Sequence, residues 1–279
     1  MRGATTKTIA GYAPINGGRL YYEVAGSGTP VVLVHGFTLD TRMWDAQFEA
    51  FAARHTVIRY DVRGFGKSSL PEKPYSNAED LNGLLDHLHV DKAAVIGLSM
   101  GGGIITEFVL RHPGRVTAFV PVDAGGSTLV KKDDPAGQAQ LREFNGLLKA
   151  LPETAKREGV KAAIRLWLDC ILFAPERELP RVKQDLELIV SGYSGWHWLN
   201  PPLALSFKPE PPELYGRIRA PTLVVLGERD LPFFHSIAHG MVSGIPGARL
   251  HVIPRAGHMA NMDAPAEFNR AVLDFLAAV

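Results

Sequence analysis

Apolar positions along the chain follow two alternating rhythms. Short runs rich in Val, Ile, Leu and Tyr read as strands at 19–25 (RLYYEVA), 31–34 (VVLV), 56–60 (TVIRY), 93–96 (AAVI) and 116–122 (VTAFVPV). The run at 31–34 is continuous rather than alternating, as expected of a strand buried on both faces. Between these runs, apolar residues recur at three- and four-residue spacing. Trp44, Phe48 and Phe51 mark a helix over Met43–Arg54, and Leu81, Leu84, Leu85 and Leu88 mark a second. Ser76 and Glu79 have the spacing of a capping box that opens this second helix. A third helix, over about 100–112, stops before Pro113. Beyond about 220 the alternation resumes, with strands at Thr222–Leu226 and Arg249–Ile253 and a helix at Pro265–Leu276. Strand and helix in alternation predict an α/β fold, a parallel sheet with helices on both faces.

Residues 127–212 break the rhythm. Helical patterns dominate there, over Gln138–Ala150, Val160–Phe173 and Glu176–Val190, before a stretch holding Pro201, Pro202, Pro209, Pro211 and Pro212. The simplest account is a helical cap inserted between the sixth and seventh strands. The core is then 1–126 and 213–279, and the cap (lid) is 127–212. A separate domain is the alternative, but the Pro-rich exit lacks a long polar linker, which favours a cap packed on the sheet.

Composition narrows the class. Across 279 residues, 30 Lys+Arg balance 29 Asp+Glu, for a formal net charge of +1. That balance gives no electrostatic footprint for a nucleic-acid partner. No apolar run approaches the roughly 18 residues of a membrane span, and the first twenty residues lack the apolar stretch of a secretory signal. A cytoplasmic protein without a membrane partner is expected; a homo-oligomer stays open. Cys170 is the only cysteine, so no intrachain disulfide and no cysteine-based metal site can form. Neither a metal nor another cofactor is expected.

The sharpest chemical signal is Gly97-Leu98-Ser99-Met100-Gly101, set between the strand at 93–96 and a helix. It fits G-x-S-x-G in the strand–turn–helix context that the motif requires. An abrupt turn forces Ser99 into a strained backbone conformation and crowds the positions two residues away, where side chains would collide. The turn lifts the Ser99 hydroxyl above the carboxyl edge of the sheet and offers Met100 N–H to developing negative charge.

A serine hydroxyl near neutral pH needs a base. Among ten histidines, His258 follows the last strand, in Arg255-Ala256-Gly257-His258-Met259, on the edge where Ser99 lies. His87, His89 and His112 fall on or just after helices, His55 ends a helix, and His251 lies within a strand. His197, in Trp196-His197-Trp198, belongs to the cap. The imidazole needs a carboxylate to fix its tautomer. Asp230 ends Leu226-Gly227-Glu228-Arg229-Asp230 beyond the seventh strand; its rival, Asp123, follows the sixth. Loop length favours Asp230 as the orienting acid, and the order Ser99, Asp230, His258 matches a known triad order.

With these motifs in place, the chain resembles the α/β-hydrolase fold superfamily, in its serine esterase, enol-lactonase and perhydrolase branch. His35-Gly36-Phe37, Asp61-Val62-Arg63-Gly64-Phe65-Gly66-Lys67-Ser68, GLSMG, LGERD and AGH occur in family order. The resemblance implies a mostly parallel eight-stranded sheet, with Phe37 N–H joining Met100 N–H as the oxyanion hole. It makes His35 a support of that loop. The Asp61–Ser68 stretch becomes a structural turn; a phosphate-binding loop would need glycine where Asp61 stands.

Within the family, haloalkane dehalogenases and epoxide hydrolases carry aspartate where this chain has Ser99. Serine points to acyl transfer: esters, thioesters, lactones, or a C–C bond next to a carbonyl. Carbon–carbon hydrolases commonly have tryptophan after the histidine, where this chain has Met259. A carboxylesterase working through an acyl-enzyme is therefore expected, with an enol-lactonase or a cofactor-free perhydrolase (haloperoxidase) as alternatives. A catalytically weak ligand-binding protein of the same fold is the reading from a different class. Aromatic residues concentrate in the cap, at Trp167, Phe173, Trp196, Trp198 and Phe207. Trp167, Trp196 and Trp198 are the expected substrate contacts, suited to an apolar ester or lactone.

Overall fold

The computed structural model describes residues 7–124, 130, 133–205 and 212–279. Eight strands form one sheet: β1 (Ile9–Ile15), β2 (Gly18–Gly26), β3 (Pro30–Val34), β4 (Thr56–Tyr60), β5 (Ala93–Leu98), β6 (Val116–Val122), β7 (Leu223–Gly227) and β8 (Arg249–Ile253). Their order across the sheet is β1-β2-β4-β3-β5-β6-β7-β8. β1 and β2 pair antiparallel, as do β2 and β4; every later pairing is parallel. β3 and β5 occupy the middle, and their Val, Ile and Leu side chains are buried on both faces. Helices therefore cover both sides, which is why VVLV runs continuously apolar.

The helices are α1 (Asp45–Ala52), α2 (Asn77–His87) and α3 (Met100–Arg111), then α4 (Pro135–Glu158), α5 (Val160–Leu168), α6 (Pro180–Val190) and α7 (Trp196–Leu199), and finally α8 (Pro232–Gly244), α9 (Ala260–Asp263) and α10 (Pro265–Leu276). Local chemistry sets several boundaries. Ser76 Oγ accepts from Glu79 N–H at 3.3 Å and caps α2 as the box spacing requires. Pro180 and Pro265 each begin a helix, where a missing N–H costs nothing.

α4 to α7 form the insertion between β6 and β7. Here the elements differ in extent from the sequence pattern. α4 runs over Pro135–Glu158 rather than Gln138–Ala150: Asp134 caps its start, accepting from Gly137 N–H at 2.9 Å, and the helix continues until Gly159, at φ 90°, turns the chain. The expected helix over Val160–Phe173 ends at Leu168 and is followed by a single turn, Ile171–Phe173. The expected helix from Glu176 starts instead at Pro180, after a separate turn at Glu176–Glu178. α8 is a helix beyond those expected from periodicity, and Phe233, Phe234, Ile237, Ala238 and Met241 bury one of its faces. Phe207, Pro209, Pro211 and the expected boundary at 126/127 lie outside the described residues.

Candidate active site

The parallel strands all end on one edge, and five chemistry-bearing segments meet there. Ser99 follows β5, Phe37 follows β3, Asp123 follows β6, Asp230 follows β7, and His258 follows β8.

Ser99 sits at φ 53° and ψ −113°, a left-handed conformation unusual for a residue with a side chain. The crowding expected of the glycines is visible around it. A Cβ on Gly97 would lie 2.4 Å from Gly101 O, and one on Gly101 would lie 2.2 Å from Val34 O. Ser99 N–H donates to Val122 O at 2.9 Å, pinning the turn to β6. The first bond along α3 runs from Gly103 N–H to Ser99 O at 3.1 Å, so Met100 N–H precedes the helical ladder at its positive end.

His258 is almost fully buried, and its Nδ1 lies 2.9 Å from Asp230 Oδ2. Its Nε2 is also buried and has no hydrogen-bond partner among the described residues. The Phe234 ring packs at 4.5 Å, centroid to centroid, against the imidazole. Burial pushes the His258 pKa below its ordinary value, opposed by the charges of Asp123, Glu176 and Asp263. Burial raises Asp230, while Leu231 N–H, donating to Oδ1 at 2.7 Å, pulls it back. Asp123, the rival acid, points to a different partner: its Oδ1 accepts from Gly227 N–H at 2.7 Å. Burial and the neighbouring Asp230 push the Asp123 carboxyl well above the usual range.

His35 braces the loop after β3. Its Nδ1–H donates to Gly36 O at 2.8 Å and its Nε2 accepts from Val62 N–H at 2.9 Å, an assignment that requires the neutral ring. Burial lowers the His35 pKa in agreement with this. Asp61 does similar work in the turn after β4, accepting from Thr41 N–H and Lys67 N–H, both at 2.8 Å.

Ser99, Met100, Phe37 and His258 all border a cavity of about 370 Å³. Phe144, Trp167, Leu172 and Phe173 of the insertion form its roof. A second cavity of about 260 Å³ shares Ser99, Met100 and Phe144 and extends to Phe233 and Phe234. Among the described residues, no lysine or arginine lines either one. Of the three tryptophans singled out from sequence, Trp167 lines the larger cavity. Trp198 is buried behind it, 6.3 Å from the Phe37 ring, and Trp196 is half-buried beside His197; neither borders the cavity.

Sequence reasoning missed Thr38, Glu176 and Phe144, which also shape this site. Thr38 Oγ1 accepts from Trp167 Nε1–H, and Glu176 of the insertion accepts from Met259 N–H. Phe144 borders both cavities. No local pattern announces these roles, because each depends on a contact between segments far apart in the chain.

Comparison with known proteins gives a consistent picture. A 2-hydroxy-6-oxo-6-phenylhexa-2,4-dienoate hydrolase of Burkholderia cepacia is 30% identical over 284 residues, covering 93% of this chain and 91% of its own. The crystal structure of an enol-lactonase from Burkholderia xenovorans superposes with a TM-score of 0.77 at 25% identity, over 96% of this chain and 100% of that one. A thermophilic esterase from Thermogutta terrifontis also gives 0.77, at 27% identity, over 97% and 98% of the two chains. Residues 29–265 match the family profile described as alpha/beta hydrolase fold, and with the eight-stranded sheet and the strained Ser99 turn this establishes that the chain belongs to that family.

Proposed function

We propose that this chain is a serine hydrolase of uncharged carboxylic esters that works through an acyl-enzyme. One observation carries the reading. Ser99, held at a strained turn, shares an apolar cavity with His258, whose Nδ1 is occupied by Asp230 and whose buried Nε2 has no partner among the described residues.

In this reading the Ser99 oxygen attacks the ester carbonyl carbon while His258 Nε2 takes its proton. Asp230 fixes the tautomer that leaves Nε2 free and stabilises the imidazolium. Phe37 and Met100 N–H hold the oxyanion; losing one such donor typically costs about 3–4 kcal/mol of transition-state stabilisation. The intermediate collapses as His258 returns the proton to the departing alcohol. Water, deprotonated by the same imidazole, then attacks the acyl carbon and releases Ser99. The helices between β6 and β7 act as the cap, and the two cavities meeting at Ser99 suit the acyl and alcohol portions of one substrate.

The cavity walls favour an ester or lactone over a substrate such as the dienoate in the name of the Burkholderia cepacia relative. A carboxylate entering this site would meet no cation among the described lining residues, and an unpaired buried charge is costly. A lactone keeps both portions in one ring and needs the same chemistry.

The test is one substrate panel: p-nitrophenyl esters of increasing chain length, several lactones, and bromination with peroxide and acetate. It is run on the wild type, Ser99→Ala and Asp230→Asn. A fluorophosphonate is expected to label the wild type and not Ser99→Ala. Asp230→Asn is expected to lower kcat by about 10⁴-fold through the wrong tautomer. Labelling that survives Ser99→Ala would sink the assignment.

A further inference from the structure

The peptide groups on either side of His258 are each held by a buried carboxyl. Gly257 N–H donates to Asp263 Oδ2 at 2.7 Å, and Met259 N–H donates to Glu176 Oε1 at 2.9 Å. The first acid belongs to α9 in the core; the second belongs to the Glu176–Glu178 turn of the insertion. That turn presses on the loop. A Cβ on Gly257 would lie 2.5 Å from Glu176 Oε1 and 2.7 Å from Pro175 Cβ. Glu176 is fully buried. Its other oxygen, Oε2, and the other oxygen of Asp263, Oδ1, are buried and have no N–H or hydroxyl partner among the described residues.

Two buried carboxylates in contact cannot both stay ionised, and a single proton between them gives both orphan oxygens a partner. Burial and the Asp263 charge raise Glu176 to about 8. Burial raises Asp263 less, to about 6, because the bonds from Gly257 N–H and from Glu176 pull it back, so the proton sits on the Glu176 side of the pair and Asp263 accepts it.

We propose that Glu176 and Asp263 share one proton and form a positioning clamp on the His258 loop, through which the insertion sets the orientation of the imidazole. This rests on His258 being the base of the proposed reaction. Glu176 also feels His258 itself, Cys170, and Arg229, whose guanidinium pairs with Glu178 at 2.8 Å. Asp169, Arg177, Lys183 and Glu187 share a small cavity with it. Asp263 borders an outer groove that also holds Arg42, Asp45, Arg181 and Asp185. When the shared proton leaves, two carboxylates face each other and push the Glu176 turn off Met259 N–H.

The experiment compares Glu176→Leu, Glu176→Gln, Asp263→Asn and Ser99→Ala with the wild type. It measures kcat and KM against pH on a p-nitrophenyl ester, and the titration of the His258 imidazole by NMR. Glu176→Leu is expected to lower kcat by about 10- to 100-fold, with a smaller change in KM, because the loop is misplaced rather than the cavity. In Glu176→Gln the amide reproduces the neutral acid, accepting from Met259 and donating to Asp263. That variant should recover most of the loss and abolish the alkaline fall of kcat. Asp263→Asn removes one negative charge near His258 and should move its titration to lower pH.

Equal losses in Glu176→Leu and Glu176→Gln would overturn the clamp, as would a His258 titration identical in wild type, Glu176→Leu and Asp263→Asn. Should Glu176→Leu not fold, the pH profile of Glu176→Gln still decides: an alkaline fall unchanged from wild type refutes the shared proton. Full turnover by Ser99→Ala would refute the serine reaction instead, and the NMR titration would still read the clamp.

Discussion

Trp167 Nε1–H donates to Thr38 Oγ1 at 2.8 Å, and the same hydroxyl donates to Phe37 O at 2.6 Å. A tryptophan of α5 thus fastens the insertion to the residue beside Phe37, in a loop where Thr38 itself is held at φ 64°. A β-branched residue at positive φ is strained and persists only when its surroundings enforce it. The Trp167 bond and the Phe37 ring, packed 5.9 Å from the Trp167 ring, supply that enforcement.

A double-mutant cycle on Trp167→Phe and Thr38→Val should therefore give a coupling of about 1 kcal/mol in urea unfolding, the usual net value of a buried hydrogen bond. Both single variants should also lower kcat on esters, because Phe37 N–H loses its fixed direction. A coupling indistinguishable from zero would mean that the two residues are neighbours without consequence for each other.

At the Ser99 turn, two glycines two positions apart, Gly101 and Gly103, face different surroundings. Gly101→Ala would put a Cβ 2.2 Å from Val34 O, against backbone that cannot swing away. A destabilisation of about 1–3 kcal/mol is expected from the overpacking, together with a roughly 100-fold loss of kcat as Ser99 is displaced. Gly103→Ala, in the same helix, meets nothing within 4 Å. There alanine should stabilise by about 0.5–1 kcal/mol. Denaturant unfolding and the rate of fluorophosphonate labelling read both effects, and similar behaviour of the two variants would refute the crowding argument.

Protonation gives opposing trends. Burial lowers the His258 pKa, so the folded state holds the imidazole neutral where the unfolded chain begins to protonate it. Stability from this group is present above about pH 6.5, the unfolded value, and falls as pH drops below it. The acid limb of kcat/KM should accordingly lie below about pH 6.5. His197, stacked on Phe65 and lowered to about 4, adds to stability in the same direction. Glu176 acts the other way. Its raised pKa means that the folded state binds a proton the unfolded chain has released, so its contribution falls as pH rises from about 4.3, the unfolded value, towards about 8. Glu176→Gln should remove this loss between about pH 4.3, the unfolded value, and about 8, leaving only the rise due to the histidines over that interval; an interval unaltered from wild type would contradict this.

Elements whose cause is local are legible in the amino-acid sequence. VVLV reads as a doubly buried strand because every position is apolar, Ser76 and Glu79 announce a helix start through a bond spanning three residues, and G-x-S-x-G encodes its turn in the sterics of five adjacent residues. Where several local signals compete, periodicity is a coarser guide: Pro180 and the Leu168–Ile171 break divide helices that periodicity alone would join. Tertiary structure decided which groups meet. Asp123 and Asp230 both end strands on the same edge, and only the placement of β7 against β8 brings Asp230 to His258 while Asp123 turns to Gly227. The same holds for Trp167, which reaches the cavity while Trp196 and Trp198 do not, and for Glu176, which meets Met259 across 83 positions. Backbone conformation is set by sterics within a few residues, whereas the partner of a side chain is set by how distant elements pack, and one sequence pattern fits many such partners.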